Sequence, residues 1–398
     1  MERRVKLAVL GGNRGQAFNA ALGLLREEVE LTCICDLSGE TIASWQARFP
    51  GIRGYADYAD MLETGDCDAV FIATPIAQHA GQAIAALRAG KHVLCEVYAA
   101  DTIDEAWELV EAVEQSGLVY MLAENYCYLR ANMAVLNMVQ SGMFGDITFA
   151  EGAYVHDCRR LRLDERGALT WRGEQLRRFR GNSYPTHSLG PIARWLGVNR
   201  TDRLVRSATF VSRTGSLLHY IADRYGADHP ALQPGFWAHG DTVTTVVETA
   251  SGALATLRFD GDSARPHNMA GYSLQGTKGA YLSGRYEGED GLVWLEGIGQ
   301  TDEYGQAAEW DRLSALYDRF EHPAWRRYKE QAQRTGHGGG DFFVLRDFVA
   351  AIREGTPPPI DVYDAAAWSA IVPVSAESVR RGGVPVEIPD FTRGRRRG

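Results

Sequence analysis

The first 125 residues alternate between short, continuously apolar runs and longer stretches with helical periodicity. Apolar runs without alternation are expected where helices cover both faces of a parallel sheet. The pattern therefore predicts an α/β domain with a doubly wound parallel sheet over residues 1–125. The strands are predicted over residues 5–10, 30–35, 69–73, 92–95 and 119–122, and the helices over 17–26, 39–48, 78–88 and 103–115.

From residue 145 onward the predicted strands become longer and fewer helices separate them. This change favours a mainly antiparallel sheet, so residues 126–398 are predicted to form a second, α+β domain on a large open sheet. The arginine-rich stretch 159–180 shows no clean period and is predicted to be a long loop. The strands are predicted over 147–156, 204–211, 242–250, 253–259, 272–275 and 280–283, and the helices over 185–196, 341–354 and 363–381.

Composition limits the kind of partner that the chain binds. Its 398 residues, 45% of them hydrophobic, are enough for two domains with cores of their own. The formal net charge of -9 argues against nucleic acid, which needs a basic face. Because there is neither a long apolar run nor a signal-peptide pattern, we expect a cytoplasmic protein without a membrane partner. The six cysteines show no Cys-x-x-Cys spacing, which favours reduced thiols over disulfides or a metal site.

A glycine-rich turn follows the first predicted strand. The segment Leu10–Gly15 reads LGGNRG, which fits G-x-G-x-x-G at its second and third glycines and has Leu10 at the first. Asp36 ends the second predicted strand, where a carboxylate accepts hydrogen bonds from a ribose and repels a 2′-phosphate. This spacing predicts the Rossmann fold and favours NAD over NADP, although an ordinary strand-turn-helix loop would share part of the pattern.

Two further strand ends carry polar residues at the edge where ligands bind in doubly wound sheets. One reads Thr74-Pro75 with His79 close behind it, and the other ends in Glu96. Thr74 could instead cap the next helix. The same alternative role is less plausible for Glu96. The residues that we assign to the cofactor are Gly11, Gly12, Asn13, Arg14, Gly15, Asp36, Thr74, Pro75, His79, Glu96 and Asn125, with Trp171 and Arg172 as further candidates.

The predicted helix at 185–196 begins with groups that transfer protons. Tyr184 and His187 lie on its first turn, and both can relay a proton to or from a hydroxyl. In a chain that opens with a dinucleotide-binding pattern, this pairing predicts redox chemistry on a hydroxyl. A packed aromatic and a locally hydrogen-bonded histidine remain the alternative interpretation.

Together, these features resemble the Gfo/Idh/MocA oxidoreductases, which pair a Rossmann domain with a sheet domain that carries the sugar site. Dehydrogenases of that family have Glu-Lys-Pro where this chain has Glu96-Val97-Tyr98. They also have an aspartate four residues before the catalytic histidine, where this chain has Ser183. Both departures argue against a simple sugar dehydrogenase.

A narrower resemblance rests on segments 150–157, 184–187, 189–191, 336–339, 362–369 and 389–394. They are similar to the NAD-dependent retaining glycosidases of glycoside hydrolase family 109, typified by α-N-acetylgalactosaminidases. That resemblance implies transient oxidation at C3 of the sugar, removal of the C2 proton, elimination of the aglycone, addition of water and reduction at C3. It also assigns Tyr154 as the C2 base, with His187 and Tyr184 at the sugar hydroxyls.

Other assignments stay open at this point. His156, Asp157 and His337 are candidate substrate-binding residues, and His337 among glycines also fits a flexible linker. Arginines of the stretch 159–180 would suit an anionic sugar, as in related glycosidases acting on sialosides and sulfoquinovosides. The alternatives to a glycosidase are an NAD(P)-dependent sugar or inositol dehydrogenase and a non-catalytic sugar-nucleotide sensor. We expect a homo-oligomer that associates through the second sheet.

Overall fold

The structure is a computed structural model that describes residues 3–266, 268–286 and 288–395, without the side chains of 268 and 269. Its strands alternate with helices early in the chain and follow one another closely later, as predicted. In chain order they are β1 (Val5–Leu10), β2 (Val29–Cys35), β3 (Arg53–Tyr55), β4 (Ala69–Ile72), β5 (His92–Cys95), β6 (Tyr120–Leu122), β7 (Ile147–Val155), β8 (Leu204–Val211), β9 (Thr242–Thr249), β10 (Leu254–Asp260), β11 (Asn268–Gly276), β12 (Gly279–Leu282), β13 (Leu292–Leu295), β14 (Asp311–Arg312) and β15 (Val386–Glu387).

The helices are short to medium in length. They are α1 (Gly12–Gly15), α2 (Asn19–Leu24), α3 (Gly39–Arg48), α4 (Tyr58–Thr64), α5 (His79–Arg88), α6 (Ile103–Ser116), α7 (Arg130–Gln140), α8 (Trp171–Arg178), α9 (Thr186–Trp195), α10 (Ser216–Tyr225), α11 (Tyr317–Phe320), α12 (Pro323–Ala332), α13 (Gly340–Glu354), α14 (Val362–Ser369) and α15 (Ile371–Arg380). Single 3₁₀ turns cover Gln16–Phe18, Ile76–Gln78, Asn125–Tyr128, Arg159–Leu161, Pro230–Leu232, Leu313–Leu316 and His337–Gly339.

The chain divides into two compact units, each made of two separate segments of sequence. It contains residues 1–130 and 323–370, and the second contains 131–322 and 371–398. The sequence pattern predicted a single boundary near residue 125, which would leave 323–370 in the second domain. In the structure this segment lies with the first 130 residues, because α13 packs on β1 and α2, and α14 packs on β6 and α6.

The first unit is built on a parallel sheet of six strands. Their order is β3-β2-β1-β4-β5-β6, and every neighbouring pair is parallel. This confirms the predicted doubly wound fold. Strand β3 was missed because Arg53 and Gly54 are exposed at the sheet edge and make no apolar run.

The second unit is built on a mixed, mostly antiparallel sheet of nine strands, which confirms the predicted open sheet. The order is β14-β13-β12-β11-β7-β10-β9-β8-β15, and the central pair β7 and β10 is parallel. Helix α9 packs on β7, β10 and β11, and α15 packs on β8. The last three strands in sequence order, β13 to β15, are two to four residues long and left too short a pattern to be predicted.

Two predicted elements differ from the structure for local reasons. The stretch 159–180, predicted to be a loop, contains α8, and Thr170 caps this helix by accepting a hydrogen bond from the backbone N–H of Gly173. The helix predicted over 363–381 is two helices, α14 and α15. Pro373 lies in the first turn of α15 and has no N–H to donate back to α14, so the helix is interrupted before it.

Within the described ranges, no helix combines the length and the apolar character needed to cross a bilayer. The cytoplasmic location expected from the sequence stays a prediction.

Candidate active site

The glycine-rich turn packs closely against its neighbours because it carries no side chains there. Gly11 has a φ of 92°, and a Cβ on it would lie 2.5 Å from the carbonyl oxygen of Ala73 at the end of β4. A Cβ on Gly12 would lie 2.7 Å from the indole nitrogen of Trp45. A Cβ on Gly15 would meet the Val9 side chain at 2.7 Å. The backbone of this loop is therefore held at the carboxyl ends of β1 and β4, where it can approach a bound pyrophosphate.

Asp36 ties this loop to the end of β2. Its Oδ2 accepts a hydrogen bond of 2.8 Å from the backbone N–H of Gly12, and its Oδ1 accepts one of 2.8 Å from that of Ser38. A carboxylate has about four acceptor positions, so both oxygens keep capacity for further hydrogen bonds. This arrangement suits a ribose diol.

The next two strand ends are joined by a buried histidine. His79 lies with Nδ1 2.8 Å from the carbonyl oxygen of Tyr98 and Nε2 2.9 Å from that of Thr74. Pro75 lies between them as the N-terminal flanking residue of the turn Ile76–Gln78. The imidazole therefore holds the segments after β4 and β5 together, and its predicted role in cofactor binding stays a prediction.

Glu96 lies at the end of β5 and is buried. Its Oε1 accepts a hydrogen bond of 2.7 Å from Nε of Arg14, which projects from α1 beside Asn13. This ion pair links two of the predicted cofactor residues across the carboxyl edge of the sheet.

Asp341, which was not predicted from the sequence, contacts two of the predicted residues. It is fully buried, accepts a hydrogen bond of 2.9 Å from Nδ2 of Asn125, and lies 3.0 Å from Nδ1 of His337 through both of its oxygens. His337 lies four residues before Asp341 in sequence, and that spacing was the available signal. All three belong to the first unit.

The amide oxygen of Asn125 indicates that a ligand binds here. This side chain is 1% exposed, and its Oδ1 has no hydrogen-bond partner among the described residues. A buried acceptor without a donor costs about 1–3 kcal/mol, which a bound N–H or O–H group would recover. Together with the glycine loop and Asp36, this acceptor fits a dinucleotide at the carboxyl edge of the sheet.

In the second unit, the three predicted proton-transfer residues form one cluster. The ring centroids of Tyr154 and His187 lie 5.0 Å apart, those of Tyr184 and His187 5.0 Å, and those of Tyr154 and Tyr184 5.5 Å. Tyr154 comes from β7, whereas Tyr184 and His187 flank the start of α9. The structure thus brings together two phenols and an imidazole from separate elements.

The close approach of α9 to β7 places this cluster. A Cβ on Gly152 would overlap the carbonyl oxygen of Ser188, so only glycine fits where the helix meets the strand. The hydroxyl of Tyr272 donates a hydrogen bond of 2.6 Å to the carbonyl of His187, and the hydroxyl of Ser188 donates one to the carbonyl of Arg258. These contacts fix the first turn of α9 against β7, β10 and β11.

The other predicted residues of this unit lie at varied distances from the cluster. The ring of His156 lies 5.7 Å from that of Tyr154. Asp157 accepts hydrogen bonds of 2.9 and 2.7 Å from Arg159, and these bonds lower the pKa of its carboxyl. Trp171 and Arg172 begin α8, where the guanidinium lies 4.2 Å over the indole ring.

The second unit also contains a buried ion pair that was not predicted from the sequence. Nε of Arg162 donates a hydrogen bond of 2.8 Å to Asp262, with side chains 7% and 2% exposed. The two residues are 100 positions apart, and arginines in a polar stretch are solvated by default, so no sequence pattern indicated the pairing.

Comparison with known proteins agrees with both units. Residues 5–124 match the model of the oxidoreductase family with an NAD-binding Rossmann fold, and residues 128–397 match the C-terminal domain of glycosyl hydrolase 109. Among solved structures, levoglucosan dehydrogenase in complex with NADH and levoglucosan has a TM-score of 0.76 at 23% identity, covering 98% of this chain and 100% of that one. This similarity shows the shared fold.

Sequence relatives are more similar. An α-N-acetylgalactosaminidase of Tannerella forsythia is 33% identical, covering 96% of this chain and 85% of the relative. A glycosyl hydrolase family 109 protein of Akkermansia muciniphila is 37% identical, covering 98% of this chain and 84% of the relative. With matches that extend over nearly the whole length and a family model over residues 128–397, this chain is an NAD-binding member of glycoside hydrolase family 109.

Proposed function

We propose that this chain hydrolyses glycosides by transient oxidation of the sugar, with NAD bound to the first unit and the proton transfers carried out by the second. The observation that carries the proposal is the cluster of Tyr154, Tyr184 and His187. Glycosidases that work by displacement use two carboxyl groups instead, and NAD-dependent enzymes are a recognised exception to that mechanism. Val97 in place of the dehydrogenase lysine supports the same conclusion.

When bound, NAD would supply reversible hydride transfer at C3 of the sugar. Gly12, Asp36 and Asn125 would bind it, through the close backbone, the carboxylate and the unpaired amide oxygen described above. The imidazole of His187, with the phenol of Tyr184 as a relay, accepts the proton from the C3 hydroxyl as C3 becomes a ketone, and returns it when the ketone is reduced.

Tyr154 acts between these two steps. The C3 ketone acidifies the hydrogen at C2, and Tyr154 in its phenolate form removes that proton. The electron pair of the C2–H bond forms a double bond to C1 as the bond from C1 to the glycosidic oxygen breaks, and the departing oxygen takes a proton from a general acid. Water then adds its hydroxyl at C1 and gives its other proton to the conjugate base of that acid. The phenol of Tyr154 returns a proton to C2, so the net reaction is hydrolysis.

One sequence relative indicates which sugar to test first. Because the Tannerella forsythia relative is an α-N-acetylgalactosaminidase, an aryl α-N-acetylgalactosaminide is the first substrate to test. Three arginines of the stretch 159–180 already have a carboxylate partner and so do not favour an anionic sugar: Arg159 pairs with Asp157, Arg162 with Asp262, and Arg177 with Glu174.

The test follows the C2 hydrogen. Hydrolysis in heavy water should place deuterium at C2 of the released sugar, because the removed proton exchanges with solvent before C2 is protonated again. Release of the nitrophenol should need bound NAD and no added reductant. Full activity in NAD-free protein with the C2 hydrogen retained would refute the proposal in favour of displacement. Accumulation of NADH and a keto sugar in equal amounts would instead favour a dehydrogenase.

We further propose that the chain forms a homo-oligomer through the second sheet. One face of β8, β9 and β10 presents Phe210, Val246 and Leu254, all of them exposed, and Phe210 is 66% exposed. Apolar side chains grouped on one surface favour association. Sedimentation of the wild type and of Phe210→Lys tests this: the wild type should sediment as an oligomer and the variant as a smaller species.

A further inference from the structure

The ion pair between Arg162 and Asp262 is unusual because both charges are buried. The guanidinium donates to Asp262 at 2.8 Å and reaches the carbonyl oxygen of Gly261 at 3.4 Å. Taking two charges out of water costs several kcal/mol each, and apolar residues of the same volume are often at least as stabilising. Stability alone therefore does not explain why charges occupy this position.

The ring of Phe259 connects the pair to the ring of Tyr154. Strands β7 and β10 run parallel with Tyr154 beside Phe259, and the two rings stack at 6.1 Å with 13° between their planes. A Cβ on Gly261 would lie 2.6 Å from Nη2 of Arg162 and 3.1 Å from Cζ of Phe259. The guanidinium and the tip of the Phe259 ring thus meet at Gly261, which leaves no side chain between them.

The charge state of Arg162 is well defined. Burial works to lower the pKa of its guanidinium, but the charge and hydrogen bond of Asp262 outweigh burial, and the pKa is raised above its usual value. The hydroxyl of Tyr154 contributes to that rise, so the two side chains interact electrostatically. A guanidinium does not lose its proton in proteins, so it presents a fixed positive charge to the phenol.

Several other side chains lie around Tyr154 and Phe259. His187, Tyr184 and His156 face its ring from the site side. On the far side, burial lowers the pKa of His239 to about 3, so this ring is neutral near pH 7. Asp260 accepts from Thr242 and Ser263 and pairs with Arg258, and Asp157 pairs with Arg159.

We propose that Arg162 is a positioning residue, whose charge, held in place by Asp262, stabilises the phenolate form of Tyr154. The inference rests on the proposed function, in which that phenolate removes the C2 proton. A phenol ordinarily loses its proton near pH 10, and a nearby positive charge in a site of low polarity favours the ionised form. The buried pair would thus let a tyrosine act as a base closer to neutral pH.

The test measures the phenol directly, apart from turnover. The protein is labelled with ¹³Cζ-tyrosine, the Tyr154 resonance is assigned by its loss in Tyr154→Phe, and its titration is followed by NMR. In the double variant Arg162→Met with Asp262→Leu, which removes both charges and keeps apolar volume, the pKa of Tyr154 should rise by about one pH unit or more. In Asp262→Asn, which leaves the guanidinium without its counter-charge, it should fall.

Opposite shifts distinguish the proposal from general loosening of the fold. Arg285→Met, which removes an exposed arginine paired with Glu289, serves as the matched control and should leave the Tyr154 titration unchanged. An unchanged titration in the double variant, or shifts of the same sign in both variants, would overturn the proposal. If Asp262→Asn does not fold, the double variant alone decides.

A second readout connects the inference to catalysis. The acid limb of the kcat profile against pH, measured with an aryl glycoside, should move to higher pH in the double variant by the same amount as the NMR titration. A shift of Tyr154 by NMR with no deuterium entering C2 in the wild type would retain the role of Arg162 and refute the proposed function. Deuterium at C2 together with an unshifted Tyr154 titration would support the proposed function and refute the role of Arg162.

Discussion

The carbonyl oxygen of Ser188 lies where a side chain on Gly152 would begin. This contact seats the first turn of α9 on β7, so we expect Gly152→Ala to destabilise the second unit by about 1–3 kcal/mol or more, the range for overpacking. Gly271→Ala is the matched control, because Gly271 lies on the neighbouring strand β11 and a Cβ on it would lie 3.9 Å from its nearest neighbouring atoms. Urea denaturation measures both, and equal stabilities would contradict the close approach.

The cluster of rings predicts losses of turnover without loss of the cofactor. Tyr154→Phe and His187→Ala should each lower kcat by about 100-fold or more, because each removes a proton-transfer group. Bound NAD, measured by absorbance after release, should stay at the wild-type level. Tyr286→Phe, at an exposed tyrosine, is the control. Near-normal turnover in both site variants would mean that the rings only pack.

Asp36 predicts the choice of cofactor. Its carboxylate keeps acceptor capacity beside the glycine loop, so Asp36→Arg should weaken NAD by about 1.5–3 kcal/mol, the scale of a hydrogen bond to a charged group. Calorimetric titration of stripped protein measures this, with circular dichroism to check the fold. Wild-type protein that binds NADP as well as NAD would contradict the assignment.

His239 predicts how stability depends on pH. Burial, with Arg162 and Arg180, lowers its pKa from 6.5 to about 3, so the folded state keeps it neutral while the unfolded chain takes up a proton. Its contribution is therefore complete above about pH 6.5 and is lost progressively toward pH 3, at up to about 1.4 kcal/mol per pH unit.

The corresponding measurement is the free energy of unfolding at pH 7, 6 and 5. His239→Phe keeps an aromatic ring against Phe259 and has no proton to bind, so its stability should fall less steeply over this range. A variant with the same slope as the wild type would assign the acid sensitivity to other groups.

Much of the first unit was predictable because its strands are buried on both faces. Residues such as Val5 to Leu10 then form continuous apolar runs that sequence periodicity detects. Tyr184 and His187 were also detectable, since they are close in sequence and begin one helix. Tyr154 was identified as a site residue only through the family resemblance, because a single tyrosine in a strand carries no signal of its own.

The residues that escaped prediction depend on long-range pairing. Arg162 and Asp262 are ordinary surface residue types until the fold buries both. Asp341 gains its role from Asn125, 216 positions earlier. Thr170 caps a helix of eight residues whose polar sequence shows no apolar face. In each case the physical cause lies in burial or pairing that a linear pattern does not contain.

The hydrogen bond between Asn125 and Asp341 has a consequence for biosynthesis. Translation delivers the six parallel strands early, but α13, which supplies Asp341 and packs on β1, is made only after the whole inserted segment 131–322. While the nascent chain is shorter than this, the amide of Asn125 and the surface that α13 covers have no partner from the chain. The nucleotide-binding unit can therefore be completed only after α13 has been made.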